Sequence, residues 1–180
     1  MRFFVACGAR LGINEKYKEI AYEIGKYIGS NNHTLTFGAY SEGMMGAVYK
    51  GFMETSDNKD VHGYTKDKWL VNFETLELTK KDLSHNIQER KQKLYSDCDI
   101  VLILPGGLGT LDELVSYVEA KETDDFSMPL VIANIDDYYT PILEFFDKCL
   151  DEGLALDAKK LFNVTTSLEE TINVLDEITK

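Results

Sequence analysis

The chain is 180 residues long, enough for one domain with a full core, and its 44% hydrophobic content is ordinary for a globular protein. A net charge of -12, with no basic run longer than Arg90-Lys91-Gln92-Lys93, counts against broad nucleic-acid binding but leaves room for a small anion in one pocket. Three scattered cysteines, Cys7, Cys98 and Cys149, suit neither a disulfide framework nor a zinc site and point to a reducing cytoplasm; no signal-peptide pattern opens the chain, and no apolar run is long enough to cross a membrane.

Residues 2–6 are short and apolar and predict a first strand, which ends in a glycine turn, Cys7-Gly8-Ala9-Arg10. A helix is expected over about 14–30, where Tyr17, Ile20, Ala21, Ile24, Tyr27 and Ile28 fall at helical spacing. Residues 34–37 predict a second strand, opening into a second glycine turn that holds Gly38, Gly43 and Gly46 and runs on into a helix. Met44 and Met45 read as core residues of that helix. Residues 57–85 read as an irregular excursion above the sheet, a lid or dimer contact, with short strands near 61–64 and 69–71.

A helix is expected over 83–96, carrying Ile87, Arg90, Lys91 and Leu94. Ile100-Val101-Leu102-Ile103-Leu104 is a continuous apolar run, the mark of a strand buried on both faces. It breaks at Pro105 into a third turn, Gly106-Gly107-Leu108-Gly109, with Thr110 where a helix N-cap belongs. Further expectations are a strand at 130–135, a helix at 139–152 turning Ile142, Phe145, Phe146, Cys149 and Leu150 inward, a short strand at 162–164 and a closing helix at 168–178.

Strands alternating with helices predict an α/β fold, a Rossmann-like doubly wound parallel sheet with helices on both faces, in one domain spanning 1–180. Ligands of such sheets bind beyond the carboxyl ends of the strands where the winding reverses. With a strand order 3-2-1-4-5 and onward, the first strand and the Ile100–Leu104 strand are neighbours at that reversal, and all three glycine turns line one crevice. Strand, glycine turn and helix start together point free N–H groups and a helix dipole at a phosphate. Glu113 lies one turn beyond Thr110, either as its capping-box partner or as a carboxylate near a bound sugar. Arg90 suits a phosphate or a carboxylate through planar two-point hydrogen bonding, or else a surface ion pair. Arg10 reads as a second phosphate contact or a charge at the pocket mouth, and Tyr40 as a base-stacking ring or a filler of the crevice. His33, His62 and His85 read as surface or loop residues, and Asp112 as a first-turn helix charge.

Four segments in order resemble the Lonely Guy (LOG) family, long labelled lysine-decarboxylase-like. They are Cys7-Gly8-Ala9-Arg10, the Gly38 to Gly46 turn, Glu89-Arg90-Lys91, and Pro105-Gly106-Gly107-Leu108-Gly109-Thr110-Leu111-Asp112-Glu113. The resemblance implies a Rossmann-like homodimer that hydrolyses the N-glycosidic bond of AMP or a cytokinin riboside 5′-monophosphate, giving free base and ribose 5-phosphate. It implies Arg90 and Glu113 as catalytic pair, with Gly106, Gly107, Gly109 and Thr110 holding the phosphate. Gly8, Arg10, Gly38, Gly43, Gly46, Lys91 and Pro105 complete the nucleotide-binding set. No metal or redox cofactor is implied, and the expected partner is a small-molecule nucleotide. Ala9-Arg10, Ala39-Tyr40 and Ile87-Gln88 depart from the family's usual residues, all on the side of the pocket that would see the base. A nucleotide-binding or sensing module without turnover is the alternative reading. Single-stranded DNA binding runs against the charge, and no pyridoxal-phosphate lysine site supports the decarboxylase label.

Overall fold

The structure is a computed structural model describing residues 1–180, apart from the side chains of Trp69 and Asn72. Its strands are β1 (Arg2–Ala6), β2 (Thr34–Phe37), β3 (Val61–Lys66), β4 (Lys80–Ser84), β5 (Ile100–Ile103), β6 (Leu130–Ala133) and β7 (Asn163–Thr165). Its helices are α1 (Glu15–Ser30), α2 (Gly43–Thr55), α3 (Ile87–Ser96), α4 (Leu108–Glu122), α5 (Thr140–Asp151) and α6 (Leu168–Thr179). The strands form one parallel sheet in the order β4-β3-β2-β1-β5-β6-β7. The winding reverses between β1 and β5, where Phe3 pairs with Ile100 and Ala6 with Ile103. The expected neighbours are therefore adjacent, with a further strand, β4, on the outer edge. No helix among the described residues is long and apolar enough to cross a membrane.

The apolar runs explain the central strands. Every residue of β5 and β6 is buried, because parallel strands covered by helices on both faces have no polar side. One core, against α1, α2 and α6, takes Phe3, Val5, Leu35, Phe37, Ile100 and Leu102; the other, against α3, α4 and α5, takes Phe4, Val101, Ile103 and Ile132. The helices α1 and α2 touch backbone to backbone. A Cβ on Gly25 would lie 2.0 Å from the Val48 carbonyl oxygen, and one on Gly51 would lie 2.0 Å from that of Tyr22. Only glycine permits this approach.

Several elements differ from expectation. Residues 67–74 form a 3-10 helix rather than a strand at 69–71. The strand β4 lies where helix was expected to begin; its Lys80-Lys81-Asp82 is polar because an edge strand keeps charge on its open side. The helix α4 starts at Leu108, capped by Gly107 with no side-chain bond, so Thr110 is its third residue and not its N-cap. Glu113 is then too deep in the helix to close a capping box, and Asp112 lies beyond the first turn. On α5, Ile142, Leu143 and Phe146 pack inward, whereas Phe145 and Leu150 flank that stripe and are exposed. His62 is a strand residue, half-buried, with Nδ1 2.7 Å from Asp97 Oδ2 and Nε2 3.4 Å from Asp60 Oδ1. Asp97 also holds Arg2 (2.9 Å), Lys80 (3.0 Å) and the Tyr64 hydroxyl. Burial alone would raise its carboxyl, but the hydrogen bonds from Tyr64, His62 and Lys80 outweigh it and hold it down at about 2. His33 is half-buried too, stacked on Phe3.

Candidate active site

A cavity of about 800 Å³ opens above the carboxyl ends of β1, β2 and β5. The turn after β5 forms its floor. The carbonyls of this turn are all occupied: Tyr139 Oη donates to Leu104 (2.8 Å), the Gly8 N–H to Pro105 (3.1 Å), Tyr138 Oη to Gly106, and the Leu111 N–H to Gly107 (3.0 Å). Among the described residues nothing accepts from the N–H groups of Gly106, Gly107, Leu108, Gly109 or Thr110. Carbonyls turned away and five N–H groups left open at a helix N-terminus make an anion cradle. A Cβ on Gly107 or Gly109 would meet no protein atom within 4 Å, so both glycines face open space. Thr110 is buried and its side chain packs on Gly106, where a Cβ would lie 2.2 Å from Oγ1.

Glu113 sits one helical turn further into α4, roughly 4.5 Å along the axis from Thr110. Its side chain is 12% exposed, and one of its oxygens, Oε1, accepts from Arg90 Nη1 at 3.0 Å. Arg90, 9% exposed on α3, also donates through Nε to the Tyr64 carbonyl at 3.1 Å. Its Nη2 fills the space a side chain would take at Gly38, only 2.7 Å from where a Cβ would stand. Burial pushes the Glu113 carboxyl above the usual carboxylate range, and the Arg90 guanidinium offsets part of that rise. Cys7 lies on the same floor, but burial and the nearby Glu113 charge push its thiol up, the wrong direction for a nucleophile.

The remaining candidates divide into two groups. Gly8, Arg10, Gly38, Pro105 and the Gly106–Thr110 turn line the cavity together with Arg90 and Glu113. Arg10 is exposed at the mouth and, among the described residues, makes no ion pair. Gly43, Gly46 and Lys91 do not reach the cavity. Gly43, at φ 65°, lets α2 start against the Ala9 carbonyl; a Cβ on Gly46 would strike the Ser41 carbonyl. Lys91 bridges α3 to α4 through Asp112 Oδ2 (2.6 Å) and Ser116 Oγ (3.0 Å). Tyr40, Met45 and Ile87 line the cavity, and Met44 is both core and lining. Tyr17, read from the sequence only as part of the helical stripe, and Tyr138, not singled out there, also line the cavity, and Tyr139 holds the Leu104 carbonyl beneath it; the signal for the last two was an aromatic pair directly after Asp136-Asp137. Among the described residues no cluster of three His, Cys, Asp or Glu side chains is spaced for a metal ion.

A parallel sheet whose order reverses over a glycine turn, with a helix N-terminus opening there, defines a Rossmann-like α/β protein with an anion cradle at its switch point. The chain belongs to the LOG family, whose sequence model, described as "Possible lysine decarboxylase", matches residues 45–177. It is 29% identical over 180 residues to the "Probable cytokinin riboside 5'-monophosphate phosphoribohydrolase LOGL2" of Oryza sativa subsp. japonica, covering 98% of this chain and 72% of that protein. It is 27% identical over 182 residues to the cytokinin riboside 5'-monophosphate phosphoribohydrolase LOG3 of Arabidopsis thaliana, covering 98% and 82%. In fold it is similar to the molybdenum cofactor carrier protein of Chlamydomonas reinhardtii, with a TM-score of 0.70 at 19% identity over 99% of this chain and 97% of that one.

Proposed function

We propose that this protein hydrolyses the N-glycosidic bond of a nucleoside 5′-monophosphate, AMP or a cytokinin riboside monophosphate, to free base and ribose 5-phosphate. The observation that carries the reading is the Arg90–Glu113 pair, buried on the cavity wall one helical turn from five open N–H groups. With the 5′-phosphate on the Gly106–Thr110 cradle, the ribose lies over Glu113. Cleavage of the C1′–N bond leaves oxocarbenium character on the sugar, and a carboxylate at that point stabilises it. Glu113 takes a proton from the attacking water as its oxygen bonds to C1′, the departing base takes the bond's electron pair and a proton from solvent, and Glu113 returns its proton to solvent to close the cycle. Arg90 fixes the carboxylate through one oxygen and leaves the other for water or a ribose hydroxyl. The same reading includes a homodimer, with exposed Val115 on α4, away from the cavity lining, available to a partner copy.

The test is release of free base from a panel of nucleoside 5′-monophosphates. Wild type is expected to release adenine from AMP, and Glu113→Gln and Arg90→Ala to lose that activity by roughly 10²- to 10⁴-fold. If no monophosphate yields a base while AMP still binds, the protein is a nucleotide-binding module. Tyr40 in the cavity wall, on the turn after β2, favours that second reading.

A further inference from the structure

We propose that Tyr138 sets the preference of this site for a phosphorylated ligand over its unphosphorylated counterpart, by holding the Gly106–Gly107 peptide with its N–H toward the cavity. The proposal rests on the phosphate reading of the cradle. A trans peptide points its carbonyl and its N–H to opposite sides, so whatever holds one aims the other. The Gly106 carbonyl accepts from Tyr138 Oη, which turns the Gly107 N–H to the side opposite Tyr138; among the described residues nothing accepts from that N–H, and Gly107 lines the cavity. The peptides on either side are held by backbone, through the Gly8 N–H on the Pro105 carbonyl and the Leu111 N–H on the Gly107 carbonyl. Gly106–Gly107 lies between two residues of wide conformational freedom and has a side chain from a distant segment as its anchor.

The segment that delivers Tyr138 is built for the purpose. Between β6 and α5, Asp136 and Asp137 both take left-handed backbone, at φ 50° and 58°, which side-chain-bearing residues seldom adopt in succession. Polar contacts hold them there. Asp136 accepts from Asn14 Nδ2 at 2.7 Å and pairs with Lys16 at 3.1 Å, while Asp137 accepts from Thr140 Oγ1 at 3.2 Å. The Asn134 side chain takes the Tyr139 N–H at 2.6 Å. The Tyr138 ring is 41% exposed and rests edge-on against Tyr17, with centroids 5.6 Å apart. Removing its hydroxyl therefore leaves the ring's packing in place and frees one peptide.

The experiment compares AMP with adenosine on Tyr138→Phe and its parent, both in a Glu113→Gln background that stops turnover, using titration for AMP and saturation-transfer NMR for weakly bound adenosine. AMP affinity is expected to fall about fivefold to tenfold, the effect of one hydrogen bond, with adenosine affinity unchanged within about twofold. An equal loss for both ligands, or no loss for either, overturns the proposal. If the parent binds AMP no more tightly than adenosine, the phosphate reading itself fails and takes the proposal with it. A folding defect would lower both affinities and so cannot imitate the expected result.

Discussion

Replacing Gly38 by alanine puts a methyl group 2.7 Å from Arg90 Nη2 and 3.0 Å from Met45 Sδ. Ordinary van der Waals contact begins near 3.4 Å, so the guanidinium must retreat by about 0.7 Å or the strand end must shift. Met45 is flexible and can swing aside. Arg90 is not free to do so, because it is buried and tied to the Tyr64 carbonyl at 3.1 Å and to Glu113 at 3.0 Å. A displacement of that size strains the Arg90–Glu113 hydrogen bond, which stands at 3.0 Å and is lost beyond about 3.5 Å. Overpacking costs about 1–3 kcal/mol and the loss of a hydrogen bond to a charged group about 1.5–3 kcal/mol. Gly38→Ala should thus lower kcat/KM for base release by roughly tenfold to a hundredfold and lower the urea midpoint. A double-mutant cycle isolates the cause. Lysine at position 90 has no second terminal nitrogen, so in an Arg90→Lys background the Gly38→Ala penalty on stability should shrink to within about 0.5 kcal/mol of zero. A penalty of the same size in both backgrounds would refute the claim that Gly38 exists to admit Arg90.

Two further outcomes concern pH. Because burial raises the Glu113 carboxyl, its ionised form is lost at a higher pH than an ordinary carboxylate's; the acid limb of kcat/KM for base release should stand above about pH 4.5 and disappear in the residual activity of Glu113→Gln. Asp97 has the opposite sign. Its folded value of about 2 lies below the ordinary carboxylate value of 3.8, so its contribution, at most about 2 kcal/mol after solvent screening, is present above 3.8 and is lost as pH falls toward 2. Urea unfolding across that window should show wild-type stability falling more steeply than that of Asp97→Asn; parallel curves would contradict the assignment.

The parts of this molecule that could be read in advance are those whose signal is local. The strands β1 and β2 fall where their apolar runs begin and end, and the three glycine turns converge because a parallel sheet brings its carboxyl ends to one side. The Arg90–Glu113 pair, 23 residues apart in sequence, was legible through the family motif and not through spacing. What escaped was set by distant partners. The polar strand β4 is a strand because β3 offers it an edge, and Asp97 is buried because Arg2, His62, Tyr64 and Lys80 reach it from four separate places. Gly43, Gly46 and Lys91 belong to the motif segments yet brace the backbone around the cavity rather than lining it. Tyr138 carries no motif at all, and its hydroxyl acquires meaning only once the Gly106 carbonyl lies beside it.

The glycine seam between α1 and α2 has a consequence for how this scaffold can change. Gly25 and Gly51 leave no slack between the two helix backbones, and the Thr55 hydroxyl, reaching the Lys26 carbonyl at 3.0 Å, closes the far end of the seam. The segments after β1 and β2 that line the cavity precede those two helices in the chain, and the helices cannot slide past one another to enlarge or narrow it. Any retuning of what the cavity admits must come from side chains exchanged in place on a fixed frame. Arg10, Tyr40 and Ile87 are such positions: they line the cavity, while the helix seam beside them is closed by contacts that leave no room for an added carbon at Gly25 or Gly51.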